Sequence, residues 1–287
     1  MILVTGATGT VGKEVLRGLP AGSEVRIMVR NPAHDRGAFA MAETVTAETV
    51  TGDYADERSL RRVLRGVTKA LLVTNDVGAG HDARFLRAAR AAGVRHVVKL
   101  SAAAVADTGA DDPITRWQRA SERLLRASGL DWTLLRPRSF MSNTLSWAPS
   151  VRSEGVVRAL YGTSANACVD PRDVAQVAVR ALTEDGHAGA IHTLTGPEAI
   201  SAVEQTQQLA DLLGRRLRFE ELTPEQARDG LRGRYPEHVV EGVLGSARRQ
   251  LAGAKTGVEQ TVLEVTGRPA RSFREWARAH RAAFAAV

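Results

Sequence analysis

A doubly wound, parallel α/β sheet followed by a smaller, mainly helical C-terminal lobe is the fold class that this 287-residue sequence predicts. Three observations predict it. An apolar strand, Ile2 to Thr5, opens the chain and runs straight into closely spaced glycines. The first half then alternates short apolar strands with helical patterns, as a parallel sheet with crossover helices requires. After Pro137 that alternation gives way to a mainly helical rhythm.

Strands are predicted at Ile2 to Thr5, Glu24 to Val29, Thr49 to Thr51, Ala70 to Thr74, His96 to Leu100 and Trp132 to Leu135. Helices are predicted to start near Thr10, Ala33, Asp56, Gly80 and Pro113, and right-handed crossovers fold the repeated strand-helix-strand units into one doubly wound sheet. Beyond Pro137 only Ala190 to Leu194 reads as a strand. Asp170-Pro171-Arg172-Asp173 reads as a cap and first turn, because proline at the first helical position sacrifices no hydrogen bond. Thr223-Pro224-Glu225-Gln226 repeats the device as a capping box. Phe273, Trp276, Ala277 and Phe284 share one helical stripe away from Arg274, Arg278 and Arg281. Packing on the protein's own core is the expectation there, with a membrane surface as the alternative. Residues 1–150 are assigned to the sheet domain and 151–287 to the lobe, with some lobe segments packing back on the sheet.

A 44% hydrophobic content suits an ordinary globular protein with a sizeable core. The opening strand leaves no room for a secretory leader, and no apolar run approaches the ~20 residues of a membrane span, so a cytoplasmic protein without membrane contact is expected. Cys168 is the single cysteine, which excludes an internal disulfide and fits a reducing compartment. It reads as a small buried apolar residue. The net charge of +7 raises the question of nucleic acid. Lys13, Lys69, Lys99 and Lys255 are the only lysines, and the arginines that make up the rest of the 39 basic residues are scattered, with few aromatics for base stacking. Nucleic acid is therefore not an expected partner. No metal-ligand spacing appears among the seven histidines, His34, His81, His96, His187, His192, His238 and His280, and no metal is expected.

The sharpest signal is Thr5-Gly6-Ala7-Thr8-Gly9-Thr10-Val11-Gly12, set between the first strand and the first helix. Gly6 permits a tight turn, Gly9 lets backbone approach a pyrophosphate, and Gly12 allows close packing of helix on strand. The helix N-terminus then offers free N–H groups and the positive end of its dipole to phosphate. This is the construction of a Rossmann dinucleotide site, in which Gly6, Thr8, Gly9, Thr10, Val11 and Gly12 bind cofactor. An unliganded glycine turn is the plain alternative, and the flanking strand and helix argue against it. At the end of the second strand, where an acidic residue would bond the ribose hydroxyls of NAD, stands Arg30. A guanidinium matches a 2′-phosphate and offers no acceptor to a hydroxyl, so NADP(H) is the expected cofactor.

The GxxGxxG spacing resembles the nucleotide loop of the atypical short-chain dehydrogenase/reductases, specifically the NmrA-like group. Gly52-Asp53-Tyr54-Ala55-Asp56, Ala92-Gly93-Val94-Arg95-His96-Val97-Val98, the stretch from Glu122 to Pro137, Asp170-Pro171-Arg172-Asp173-Val174-Ala175 and Leu194-Thr195-Gly196-Pro197 extend the resemblance over nearly the whole chain. It implies that Asp53 and Tyr54 flank the adenine and that Thr74 and Asn75 lie along the cofactor. Asp53 serves equally well as a turn or capping residue.

Many members of the wider superfamily place a tyrosine four residues before a lysine, to pass a proton while nicotinamide passes a hydride. Tyr54, Tyr161 and Tyr235 have no lysine at that spacing, so that mechanism is excluded. Ser101 ends the fifth strand, where the superfamily often has a polar residue, and Lys99 lies two residues earlier on the same strand face. Ser101, Lys99 and Tyr161 are the candidate proton donors. Ser101 reads alternatively as a turn cap and Lys99 as a strand-end surface charge. Gln118 stands where related reductases often have histidine, and it cannot exchange protons as histidine does. Trp117, Gln118, Phe140, Met141 and Asn143 are the candidate substrate contacts, with plain core as the alternative for the apolar ones. These residues lead to an NADPH-dependent oxidoreductase, a reductase of a quinone, enone or ketone. An apolar or aromatic small molecule is the expected partner, in a tailoring step on an aromatic metabolite, for a monomer or homodimer. The resemblance also implies an alternative, a non-catalytic NADP(H)-sensing regulator of the NmrA type.

Overall fold

Strands covered on both faces must read as continuous apolar runs rather than alternating ones. The computed structural model, which describes residues 1–31 and 46–285, bears this out. Its strands are β1 (Ile2–Val4), β2 (Glu24–Val29), β3 (Thr46–Thr51), β4 (Lys69–Leu72), β5 (His96–Leu100) and β6 (Asp131–Pro137). After β7 (Val156–Ala159), which belongs to a separate sheet, comes β8 (Ala190–Leu194). Leu3, Val4, Ala70, Leu71, Leu72, Val97, Val98, Leu134 and Leu135 are all fully buried. The sheet order is β3-β2-β1-β4-β5-β6-β8, with parallel pairing in every step from β3 to β6. The order reverses between β1 and β4, and a doubly wound sheet opens its ligand crevice at that point.

Helices begin where the sequence supplies a cap or a proline. α1 (Thr10–Gly18) starts at Gly9, α2 (Glu57–Val63) is capped by the Asp56 side chain, and α3 (His81–Ala91) starts at the left-handed Gly80. α4 (Pro113–Arg126) opens on its proline. α5 (Ala148–Glu154) and α6 (Pro171–Thr183) follow. The helix predicted near Ala33 lies outside the described residues, as does His34. Several boundaries differ from expectation: β1 ends at Val4, and β6 runs from Asp131 to Pro137 rather than from Trp132 to Leu135. β3 begins at Thr46 instead of Thr49. β4 ends at Leu72 and not at Thr74, because the Thr5 hydroxyl accepts from the Val73 N–H at 2.9 Å and donates to the Leu71 carbonyl at 2.9 Å, taking over the bonds of a continuing strand.

Two compact units can be distinguished. The first comprises Met1–Ala102, Trp117–Pro137 and Pro171–Thr193, and holds the sheet. The second comprises Ala103–Arg116, Arg138–Asp170 and Leu194–Val287. Among its described residues, the second unit is built on α7 (Ala202–Leu213), α8 (Pro224–Arg232), α9 (Glu237–Leu251), α10 (Thr261–Thr266), α11 (Phe273–Ala279) and α12 (Arg281–Phe284). Thr223 and Gln226 form the predicted capping box of α8. The second half carries more strand than expected: β7 pairs in parallel with β9 (Arg218–Glu221). Four-residue strands holding Arg158, Arg218, Glu220 and Glu221 carry no apolar run to announce them, and part of their pairing is ionic, with Arg158 Nε 2.8 Å from Glu220.

The C-terminal apolar stripe is core. Phe273, Trp276, Ala277 and Phe284 are buried with Met141, Ala148, Val151 and Leu209. The stripe is two helices and not one, broken at His280, whose ring stacks on Trp276 at 4.4 Å. Trp276 is the largest fully buried side chain among the described residues and also stacks on Phe273 at 5.6 Å. Trp276→Ala is expected to remove about 3–5 kcal/mol of stability in urea denaturation, the usual cost of emptying a large aromatic site; a loss below about 1 kcal/mol contradicts this packing.

Candidate functional site

The glycine loop closes on itself. Gly9 N–H donates to Gly6 O at 2.9 Å, and Gly6 adopts φ +62°. A Cβ on Gly6 would stand 2.8 Å from Val73 Cβ, and one on Gly12 would stand 2.2 Å from Gly6 O. Both positions therefore exclude side chains. Gly9 caps α1 without any side-chain hydrogen bond, so the first-turn N–H groups keep their donors for something else. Helix dipole, free donors and a cradle that a methyl group would fill together suit a dinucleotide diphosphate.

Around this loop is a cavity of about 260 Å3 at the carboxyl ends of β1 to β4, lined by Thr5, Gly6, Ala7, Thr8, Gly9, Met28, Val29, Arg30, Gly52, Asp53, Tyr54, Val73, Asn75, Asp76 and His81. Five separate sequence expectations meet there: the loop, Arg30, Asp53, Tyr54 and Asn75. Arg30 is exposed, leaving its guanidinium open to a ligand. Tyr54 donates to the Val73 carbonyl at 2.8 Å and stacks on His81 with centroids 5.3 Å apart. Burial pushes its phenol pKa up, so it stays a neutral donor. Asp53 accepts from Ala55 N–H at 2.8 Å, so it serves its own turn while lining the cavity. His81 and Asp76 were not foreseen; they carry no motif, and only their place just past β4 could have suggested them. Thr10 is exposed beside the cavity, whereas Val11 and Gly12 are buried under the helix.

Thr74 faces a different set of partners. Its hydroxyl lies 3.1 Å from Asp82 Oδ1, and the Lys99 ammonium lies 2.7 Å from that same oxygen. Ser121 donates to the other carboxylate oxygen at 3.0 Å. Lys99 is not the strand-end surface charge that its position allowed: it is completely buried, with its ammonium 5.7 Å from the Trp117 ring centroid. Burial pulls its pKa down and the Asp82 carboxylate opposes that shift. Asp82 sits in the first turn of α3, so the pair ties that helix to β5. Nothing in the sequence around Asp82 marks it as a partner of Lys99, 17 residues away.

Ser101 belongs to a second buried group. Its hydroxyl donates to Glu122 at 2.6 Å, and Arg136 Nε binds the same carboxylate oxygen at 2.9 Å. Arg126 adds a contact at 3.5 Å. Gln118, one turn before Glu122, is buried with an Oε1 that finds no donor among the described residues. The remaining candidates belong to the second unit. Tyr161 holds a left-handed backbone, φ +51°, and lines a cavity of about 200 Å3 with Leu160, Pro224, Glu225, Arg228, Leu244 and Arg248. Phe140 is half-buried, Asn143 is exposed, and Met141 is packed into the aromatic core.

Comparison with known proteins agrees with this geometry. The NAD(P)H-binding family model matches residues 6–185. The (4-alkanoyl-5-oxo-2,5-dihydrofuran-3-yl)methyl phosphate reductase of Streptomyces griseus subsp. griseus is 55% identical over 285 residues, covering 99% of this chain and 99% of that protein. The NAD(P)H azoreductase of Xenophilus azovorans is 36% identical over 293 residues, covering 100% of both. The structure of an NADPH-dependent quinone oxidoreductase from Escherichia coli, complexed with NADPH, superposes with a TM-score of 0.83 at 27% identity, over 98% of this chain and 99% of that one.

Removing Lys99 alone strands a buried carboxylate. Lys99→Met is expected to cost about 3–5 kcal/mol in urea denaturation, and the double variant Lys99→Met/Asp82→Leu to recover most of that loss. Equal losses in the single and double variants contradict a buried ion pair.

Proposed function

Because this chain belongs to the NAD(P)H-binding family and its sequence resembles the NmrA-like group of atypical short-chain dehydrogenase/reductases, we propose that it is an NADPH-dependent reductase of a conjugated alkanoyl-butenolide phosphate. The full-length 55% identity to the Streptomyces griseus reductase supports that substrate, the enone among the three classes the sequence suggests. When bound, the dihydronicotinamide supplies a hydride. Gly6, Gly9 and the α1 N-terminus hold the diphosphate, Arg30 takes the 2′-phosphate, and Tyr54, Asp53 and Asn75 border the nucleotide.

The substrate explains the missing Tyr-x-x-x-Lys. The ring double bond of a 4-alkanoyl-5-oxo-2,5-dihydrofuran is conjugated to two carbonyls. A hydride added at the ring carbon bearing the methyl phosphate pushes the double-bond electron pair onto the neighbouring carbon, where both carbonyls share it as an enolate. A proton added to that carbon completes the reduction. So well-stabilised an anion takes its proton from water, and no strong acid side chain is needed at the reacting centre. In this reading Lys99 and Ser101 act as positioning residues: their polar groups are turned to Asp82 and Glu122, and they fix α3 and α4 against the sheet.

The test is NADPH oxidation by the purified protein with the alkanoyl-butenolide phosphate and with a simple quinone. Faster turnover of the butenolide is expected, and turnover of the quinone alone overturns this substrate assignment. Arg30→Asp is expected to weaken NADPH binding at least tenfold, the loss of about one charge-assisted pair, while sparing NADH. Unchanged NADPH affinity rules out the role given to Arg30.

A further inference from the structure

The second unit draws one lysine and one arginine away from solvent without a carboxylate partner for either among the described residues. From residue 251 to 260 every residue is exposed except Lys255, whose side chain turns inward. Its ammonium lies 2.6 Å from Ser246 Oγ and 3.5 Å from Ser139 Oγ, and among the described residues it makes no ion pair. Ser139 follows Arg138, whose guanidinium donates to Ala254 O at 3.2 Å and whose Nε is buried without an acceptor. Arg138 also makes no ion pair among the described residues. Of the carboxylates that act on these two cations, Arg249 holds Asp112 at 2.9 Å and Asp107 at 3.5 Å, and Glu259, exposed, lies near Arg138 without forming an ion pair with it.

Such an arrangement is costly without an anion. Burial lowers the Lys255 pKa to about 8, and Arg249 and Arg138 push the same way, against Cys168 and Asp112. Burial lowers the Arg138 pKa as well, opposed by Glu259 and Asp107. Anchoring of the segment does not explain the buried ammonium, because the Lys255 backbone carbonyl already accepts from Ala167 N–H at 2.9 Å. An ammonium, a guanidinium with an unused donor and two hydroxyls match a phosphate monoester, which offers three acceptor oxygens and close to two negative charges.

We propose that Arg138, Ser139, Ser246 and Lys255 form a phosphate subsite that holds the phosphomethyl group of the substrate. This rests on the reading above that the substrate is a phosphate ester. The subsite makes phosphate a determinant of specificity, with the ester preferred over the alcohol from which it derives.

The experiment compares wild type, Lys255→Met and Arg138→Gln in two arms. In the first, kcat/KM is measured for the butenolide phosphate and for its dephosphorylated alcohol. Wild type is expected to prefer the ester by about a hundredfold, and each variant to lose about tenfold to a hundredfold of that preference, chiefly through KM, as for one charge-assisted hydrogen bond. In the second, Tm is measured with inorganic phosphate against sodium chloride of equal ionic strength. Phosphate should raise the Tm of wild type and not that of Lys255→Met, which without phosphate should melt no lower than wild type at pH 7 because an uncompensated buried charge is gone.

Retention of the full ester preference by both variants overturns the proposal. So does an equal phosphate response in wild type and Lys255→Met. A phosphate-dependent Tm with no ester preference identifies an effector site for free anion and overturns the assignment to substrate. If neither butenolide is reduced, the functional reading fails, and the phosphate arm still decides whether Lys255 and Arg138 bind the anion.

Discussion

The contact between Gly12 and the Gly6 carbonyl sets the geometry on which the site depends. With a Cβ on Gly12 only 2.2 Å from that oxygen, no other residue lets α1 start so close to the end of β1. The closeness fixes two things together. It points the uncapped first turn of α1 at the cavity, and it lets α1 lie against the sheet with Val11, Val15 and Leu16 buried beneath it. Thr5 extends the constraint sideways, since its hydroxyl joins the end of β1 to the end of β4. Those two strands flank the point where the sheet order reverses. Fold and site thus share one piece of backbone.

Polar groups inside the first unit hold the surrounding helices to that frame. Lys99 reaches α3 through Asp82 and also meets Ser121 and Trp117 of α4 by way of the same carboxylate and the indole face. Arg136, on β6, grips Glu122 of α4. Such buried pairs contribute little net stability because desolvation offsets their attraction, but each demands its partner's position once formed. They give the helices a register that apolar contacts, which tolerate sliding, would leave looser.

The parallel sheet was legible in the sequence because buried strands announce themselves as unbroken apolar runs, and the capping box at Thr223 because its hydrogen bonds are local. The loop, Arg30, Asp53, Tyr54 and Asn75 were legible as a group because a parallel sheet sends all its strand ends to one edge. β7 and β9 were not, since they are short and pair through charges. Nor was Asp82: a carboxylate at a helix start looks the same in sequence whether it faces water or a buried ammonium. Lys255 was hidden for the same reason, one lysine in an otherwise exposed segment whose direction only the folded chain reveals.

The two relatives from Streptomyces griseus and Xenophilus azovorans are reductases, and an electron-poor double bond that carries its own electron sink suits a chain in which Lys99 is bound to Asp82 and Ser101 to Glu122. Label transfer tests that account most directly. NADPH deuterated at the transferring face of nicotinamide C4 should place one deuterium on the ring carbon that bears the methyl phosphate, with solvent hydrogen on its neighbour. A product that draws both new hydrogens from solvent, or that carries the label on the carbon between the two carbonyls, would contradict the account.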